Sequence, residues 1–245
     1  MSSIFDDQAA TYDRWFATPL GRLVDEVEQQ AIFSLTPEVQ GRRILEIGCG
    51  TGNFSMTLAH KRAQVVGFDC SYPMLARAQD KVRGQDLDLT WVRGLASHLP
   101  FVDESFDGVM CILAMDFMAE REIVLREMVR VLRLGGFLLV GMLNRFSLWT
   151  LERTIKSWLK PSLWRQVRFI THKELRWLLS GPLELTDIRT RQAVYFPPLA
   201  SRLFLPRYPY IENLGTWLNL PTGTFLVAGA TKSGTRATKQ GGREA

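Results

Sequence analysis

Between residues 42 and 143 the sequence alternates short apolar runs with amphipathic ones, and this alternation restricts the fold more than any other feature. RRILEIG (42–48), AQVVGFD (63–69), LDLTWVRG (87–94), FDGVMCIL (106–113) and GGFLLVGML (135–143) have the length and texture of strands. NFSMTLAHKR (53–62), PMLARAQDKV (73–82) and EREIVLREMVRVLR (120–133) lie between them as helices. The last carries an apolar stripe of Leu125, Met128, Val129 and Leu132, with Gly135 expected to stop it. Regular alternation of this kind predicts an α/β fold, a parallel sheet with helices on both faces. A helix over 18–35 precedes it, capped by Thr18, opened by Pro19, and apolar along Leu20, Leu23, Val24, Val27 and Ala31.

After residue 143 the texture changes. Residues 144–169 are basic and rich in tryptophan, 171–181 form a capped helix, and 183–196 a strand. A proline- and aromatic-rich stretch (197–221) leads to a closing strand at 223–232, and 233–245 is expected to be a disordered tail. The formal charge is −5 over residues 1–143 but +7 over 144–212, so any anionic partner would meet the second half. At 245 residues one elaborated domain is expected, with 1–143 and 144–232 as its two halves. Cys49, Cys70 and Cys111 form no C-x-x-C pair, which argues against a zinc site or disulfide framework. The acidic start has no secretory pattern and no apolar run approaches membrane-spanning length, so a cytoplasmic protein is expected.

The chemistry concentrates in ILEIGCGTGNFS (44–55). Glycines at 48, 50 and 52 let the backbone approach a ligand closely. A dinucleotide fingerprint needs G-x-G-x-x-G, and a phosphate loop needs a lysine after its glycines; neither spacing is present. Glu46, at the end of the first strand, is suited to a positively charged amine. Asp69, 19 positions after Gly50, ends the second strand, where a carboxylate can accept both hydroxyls of a ribose. Together they indicate an adenosine bound at the carboxyl edge of the sheet.

E-x-G-x-G-x-G (46–52), Asp69, GLASHLPFVDESFD (94–107) and REMVRVLRLGG (126–136), in that order, resemble the class I S-adenosylmethionine-dependent methyltransferases. The nearest group is the type-11 methyltransferase domain, which includes ubiquinone/menaquinone and biotin-pathway enzymes. The resemblance covers about 5–143 closely and the final strand loosely. It implies a Rossmann-like sheet of seven strands, mostly parallel, with the last antiparallel. It also implies S-adenosyl-L-methionine as cofactor. Carried over by position, Gly48, Cys49, Gly50 and Gly52 would line the methionine part, Asp69 would hold the ribose, and Cys70 would lie beside the adenine. Leu95 stands where the family usually has an acidic residue, leaving the Ala96 N–H for the adenine; Ile112 closes the fourth strand beneath the cofactor. Leu134 replaces the usual proline before the double glycine.

Methyl transfer from a sulfonium requires positioning and desolvation, with a base only where the acceptor must lose a proton. Asp116, in CILAMDF after the fourth strand, is placed at the mouth as a general base or amine anchor, with a solvated loop carboxylate as the plainer reading. Tyr12, in ATYDRW, resembles an N-terminal tyrosine that folds over the cofactor. His98 lies beside the adenine loop but is more simply a surface residue. The tryptophan-rich segment is expected to cap the acceptor pocket, aromatics inward and Arg/Lys outward, with a plain hydrophobic core between cap and sheet as the alternative for most of these aromatics. The expected acceptor is a small, fairly apolar molecule, aromatic, quinone-like or lipidic, with peripheral membrane contact through the basic aromatic segment. An RNA or protein methyltransferase and a non-catalytic cofactor-binding regulator are the alternatives.

Overall fold

The computed structural model describes residues 4–159, 162–181, 183–199 and 204–233. Seven strands form one sheet: β1 (Arg43–Ile47), β2 (Gln64–Asp69), β3 (Leu89–Arg93), β4 (Phe106–Ile112), β5 (Leu132–Leu143), β6 (Leu185–Ala193) and β7 (Phe225–Lys232). Their order is β3-β2-β1-β4-β5-β7-β6, parallel from β3 to β5, with β7 antiparallel to both neighbours. The chain builds outward from β1 through β2 to β3, then returns to lay β4 on the other side of β1. At that reversal the connections diverge and leave a crevice at the carboxyl ends of β1 and β4.

The helices are α1 (Arg14–Ala17), α2 (Pro19–Phe33), α3 (Asn53–His60), α4 (Tyr72–Val82), α5 (Arg121–Val131), α6 (Leu148–Leu159), α7 (His172–Leu179) and α8 (Tyr208–Trp217). Side chains alternate along each strand and so feed two cores. Leu45, Val109 and Leu138 face one that includes Leu125 and Met128 of α5 and Leu175 of α7. Ile44, Met110 and Leu139 face the other, with Leu20, Val24 and Val27 of α2, Leu58 of α3 and Trp149 of α6. Glu46, two residues after Ile44, shares this second face.

The caps are those the residues predict. Thr18 Oγ1 accepts the Gly21 N–H at 2.9 Å, and Thr171 forms a reciprocal capping box with Glu174. One expectation needs correction, and one helix was not foreseen. Gly135 does not stop α5: the helix ends at Val131 and β5 begins at Leu132, pairing with Phe106 and slipping register before Gly108↔Phe137. Gly135, at φ +73°, supplies the bend for that irregularity. The stretch 197–221 carries a helix, α8, whose one proline, Pro209, occupies its first turn. The tail expected at 233–245 lies, from 234 onward, outside the described residues. Among those residues no helix is long and apolar enough to cross a membrane.

Candidate active site

The crevice holds a cavity of about 530 Å³. Its floor is the carboxyl end of the sheet: Ile47 and Gly48 at the end of β1, Phe68, Asp69 and Cys70 at the end of β2, and Ile112, Leu113 and Ala114 at the end of β4. Gly50, Leu95 and Ala96 line one side, Phe117, Met118 and Val124 another, and Ile4, Phe5 and Tyr12 of the N-terminal segment the roof. A smaller cavity of about 90 Å³ adjoins it. Tyr12, Gly48, Ile112 and Leu113 line both, while Glu46, Cys49, Asp25 and Glu28 line only the smaller one. Of the residues singled out in the sequence, all but Gly52, Asp116 and His98 line one cavity or the other.

The glycine turn is held from within. Gly48 N–H donates to the Phe68 carbonyl at 2.7 Å, and Gly50 N–H donates to Asp69 Oδ2 at 2.9 Å. The other Asp69 oxygen accepts the Ser71 N–H at 2.8 Å. Backbone donors on both sides thus fix the carboxylate at the wall of the larger cavity. Burial pushes the pKa of Asp69 up, opposed by hydrogen bonds from Ser71, Gly50 and Cys70.

The three glycines have separate tasks, all at positive φ. A Cβ on Gly48 would lie 2.1 Å from the Ala114 Cβ, so the absent side chain lets β1's turn pass under the β4 loop. A Cβ on Gly52 would lie 2.3 Å from Trp91, which places this glycine at the start of α3, packed against β3. Gly52 therefore does not line the cavity as expected. A Cβ on Gly50 would meet nothing within 4 Å, so this position opens onto the space of the larger cavity.

Glu46 is buried; Ser55 of α3 donates its hydroxyl to it, and burial drives its pKa to about 7. The N-terminal segment is latched over the turn. Asp13 Oδ1 accepts from Thr51 Oγ1 at 2.7 Å and from Lys81 Nζ at 3.1 Å, and Ser71 Oγ donates to Asp6 Oδ1 at 2.6 Å. Tyr12 is carried into place between the cavities. Its hydroxyl is pushed to about 12, first by burial and then by the negative charge of Glu28.

Asp116 is not at the mouth. It is fully buried, lines neither cavity, and accepts the Leu143 N–H at 3.1 and 3.2 Å. The cause is the end of the β4–β5 ladder: Leu113 N–H still donates to Gly141 O, but two residues on β4 has left, and Asp116 satisfies the Leu143 N–H in its place. Burial, partly offset by this bond and by Arg121 and Arg153, sets its pKa at about 7. His98 also lies off the cavities, its Nδ1 3.0 Å from Ser97 Oγ.

Sequence reading missed Asp25 and Glu28. The available signal was position: Glu28 follows Val24 by four and precedes Ala31 by three, so it occupies the inward stripe of α2. The cap also differs from expectation. Trp149 is buried, its Nε1 donating to Phe196 O at 2.8 Å, and Phe196 stacks on Tyr208 at 4.6 Å. Leu151, Ile155, Trp158 and Leu159 of α6 face outward instead, as do Tyr210 and Trp217 of α8.

Known proteins share this architecture. A family model described as a methyltransferase domain matches residues 45–140. A phosphatidylethanolamine N-methyltransferase of Cereibacter sphaeroides is 34% identical over 148 residues, 58% of this chain and 70% of that protein. A demethylmenaquinone methyltransferase of Clavibacter sepedonicus is 34% identical over 140 residues, 57% of this chain and 56% of that protein. Measured against another curated relative, the chain covers 37% of its length. Among solved structures, an S-adenosylmethionine-dependent methyltransferase of Thermotoga maritima, described as a possible histamine N-methyltransferase, superposes with a TM-score of 0.72 at 27% identity. That match covers 94% of this chain and 99% of that one. With the sheet order, the glycine turn and the strand-end carboxylate in agreement, the chain belongs to the S-adenosylmethionine-dependent methyltransferases of the type-11 methyltransferase domain group.

Proposed function

We propose that the protein methylates a small, fairly apolar acceptor, aromatic, quinone-like or lipidic, beside S-adenosylmethionine held in the larger cavity. The observation that carries the acceptor class is the apolar part of the lining: Phe117, Met118 and Val124, with Phe5 of the roof packed edge-on against Phe117, offer an apolar surface to whatever enters. Two relatives named for a menaquinone precursor and a phospholipid support the same chemistry.

The residues present fit the cofactor. Asp69 lines the larger cavity, where its carboxylate meets the ribose hydroxyls, and the open space at Gly50 lets backbone approach the methionine portion. Cys70, Leu95 and Ala96 flank the adenine side, Ile112 lies beneath, and Glu46 faces the amine end with Gly48 and Cys49. Tyr12 roofs the junction of the two cavities. Bound S-adenosylmethionine supplies a methyl group on a positively charged sulfur. The chain contributes orientation and the exclusion of water, which are the main requirements of such a displacement. Asp116 acts as a strand-end tie rather than as a base.

The outer surface suits a lipid-borne acceptor. Leu148, Leu151, Ile155, Trp158 and Leu159 form an exposed stripe along α6, in the half of the chain that carries +7. An amphipathic helix with aromatic and basic residues is the usual form of a membrane-surface contact. The test is transfer of labelled methyl from S-adenosylmethionine to fractionated cell extract. Label in the lipid-soluble fraction supports the proposal; label in RNA or protein overturns the acceptor class.

A further inference from the structure

The smaller cavity is lined by an acidic side chain that makes no hydrogen bond among the described residues, and this cavity shares part of its wall with the larger one. Glu28 projects from the inward stripe of α2, is half-buried, and lines the cavity together with Tyr12, Gly48, Ile112 and Leu113. Those four residues also line the larger cavity, so Glu28 lies across their junction from the cofactor space. Unlike Glu46, which takes the Ser55 hydroxyl, and Asp25, which takes Gln29 Nε2 at 2.8 Å, Glu28 accepts no hydrogen bond and is in no ion pair among the described residues. An unsatisfied group lies near it. Arg153 of α6 rests over the rings of Trp164, at 4.1 Å, and Trp149, at 5.3 Å, and its Nη1 is buried without a hydrogen-bond partner.

Resting on the cofactor reading above, we propose that Glu28 is the group that receives a proton from the methyl acceptor, and that the acceptor presents an O–H or N–H to it. Glu28 takes the proton as the lone pair on the acceptor oxygen or nitrogen closes on the methyl carbon and the S–C electron pair returns to sulfur. Each turnover leaves a methylated heteroatom, a neutral thioether and one proton on the carboxylate, later released to solvent. Arg153 is a positioning residue, its charge favouring the ionised form of Glu28.

Burial raises Glu28 to about 8, Arg153 pulls it down, and Asp25 and Asp116 push it up. The other titratable walls are the Tyr12 hydroxyl, the Cys49 thiol and Glu46. A base poised near neutrality is what proton abstraction at physiological pH requires.

The test is calorimetric and needs no acceptor. Sinefungin carries an amine where S-adenosylmethionine carries its methyl; S-adenosylhomocysteine carries nothing there. The methionine amine and carboxylate are common to both, so Glu46 drops out of the affinity ratio. In the wild-type protein the preference for sinefungin should rise between pH 7 and 9 as Glu28 ionises. In Glu28→Gln it should be flat with pH and about tenfold smaller at pH 9. In Arg153→Met the rise should move to higher pH, a shift that a merely structural role would not produce. A wild-type ratio that is flat from pH 7 to 9 overturns the proposal without recourse to any variant, as does a Glu28→Gln ratio equal to wild type. If neither analogue binds, the cofactor reading fails first and takes this inference with it.

Discussion

Replacing Gly50 by alanine separates folding from ligand binding at the glycine turn. Gly50 has φ +54°, where an L-residue is strained, and the added Cβ meets no atom within 4 Å. The folding cost is therefore conformational, about 1–2 kcal/mol, which for a domain of this size lowers Tm by about 2–8 °C. The methyl group enters the space the turn presents to the cofactor, where one surplus carbon in a fitted pocket weakens binding about tenfold or more. Gly48→Ala provides the contrast. Its Cβ would lie 2.1 Å from the Ala114 Cβ, so strain and overpacking of about 1–3 kcal/mol add together. The assay is thermal unfolding of both variants, followed by calorimetric titration with S-adenosylhomocysteine. The expected order is Gly48→Ala less stable than Gly50→Ala, with Gly50→Ala folded but a poor binder. A Gly50→Ala protein that binds like wild type would refute the assignment of that space to the cofactor.

Asp116→Asn should flatten the pH dependence of stability. The buried carboxyl titrates near 7 in the folded chain against 3.8 for an ordinary aspartate, so its contribution is complete below about pH 4 and is lost as pH rises through 7. The whole effect is at most about 4 kcal/mol, and a urea midpoint falling equally in both proteins across that window would contradict it. Asp13→Ala removes the contacts from Thr51, Asn53 and Lys81 that hold the N-terminal segment down. Trypsin should then cut faster at Arg14, and S-adenosylhomocysteine should slow the cut less; an unchanged digestion rate counts against the latch. Trp158→Ser combined with Trp217→Ser should reduce sedimentation with anionic phospholipid vesicles without lowering Tm, since both rings are exposed. Equal sedimentation would remove the membrane contact.

The sheet was legible because its signal is local. β1, β2 and β4 are apolar runs bounded by turn residues, and Thr18 and Thr171 mark helix starts by chemistry that operates over three residues. The junction of α5 and β5 was misread because a glycine after a helical stripe ordinarily means a cap. Here Leu132 is already committed to Phe106, a partner 26 positions away that no local pattern reveals. Asp116 illustrates the same limit. Its neighbours in sequence place it on a loop, but its role follows from the ladder ending at Gly141, a property of two strands together. Glu28 was visible as an acid within an apolar stripe, yet only the packing of α2 on the face shared by Ile44 and Glu46 gives that acid a cavity to line. On α6 the periodicity was evident, but which face turns inward depends on Trp149 reaching Phe196 O, and that leaves Leu151, Ile155, Trp158 and Leu159 outside.

The most direct test of the site is calorimetric titration of S-adenosylhomocysteine into the wild-type protein and into Asp69→Ala. Two ribose hydroxyls lose a charged acceptor in the variant, so binding should be saturable in the wild type and about 100-fold or more weaker in Asp69→Ala. Equal affinity in the two proteins, with both folded, would contradict the proposed grip of Asp69 on the ribose.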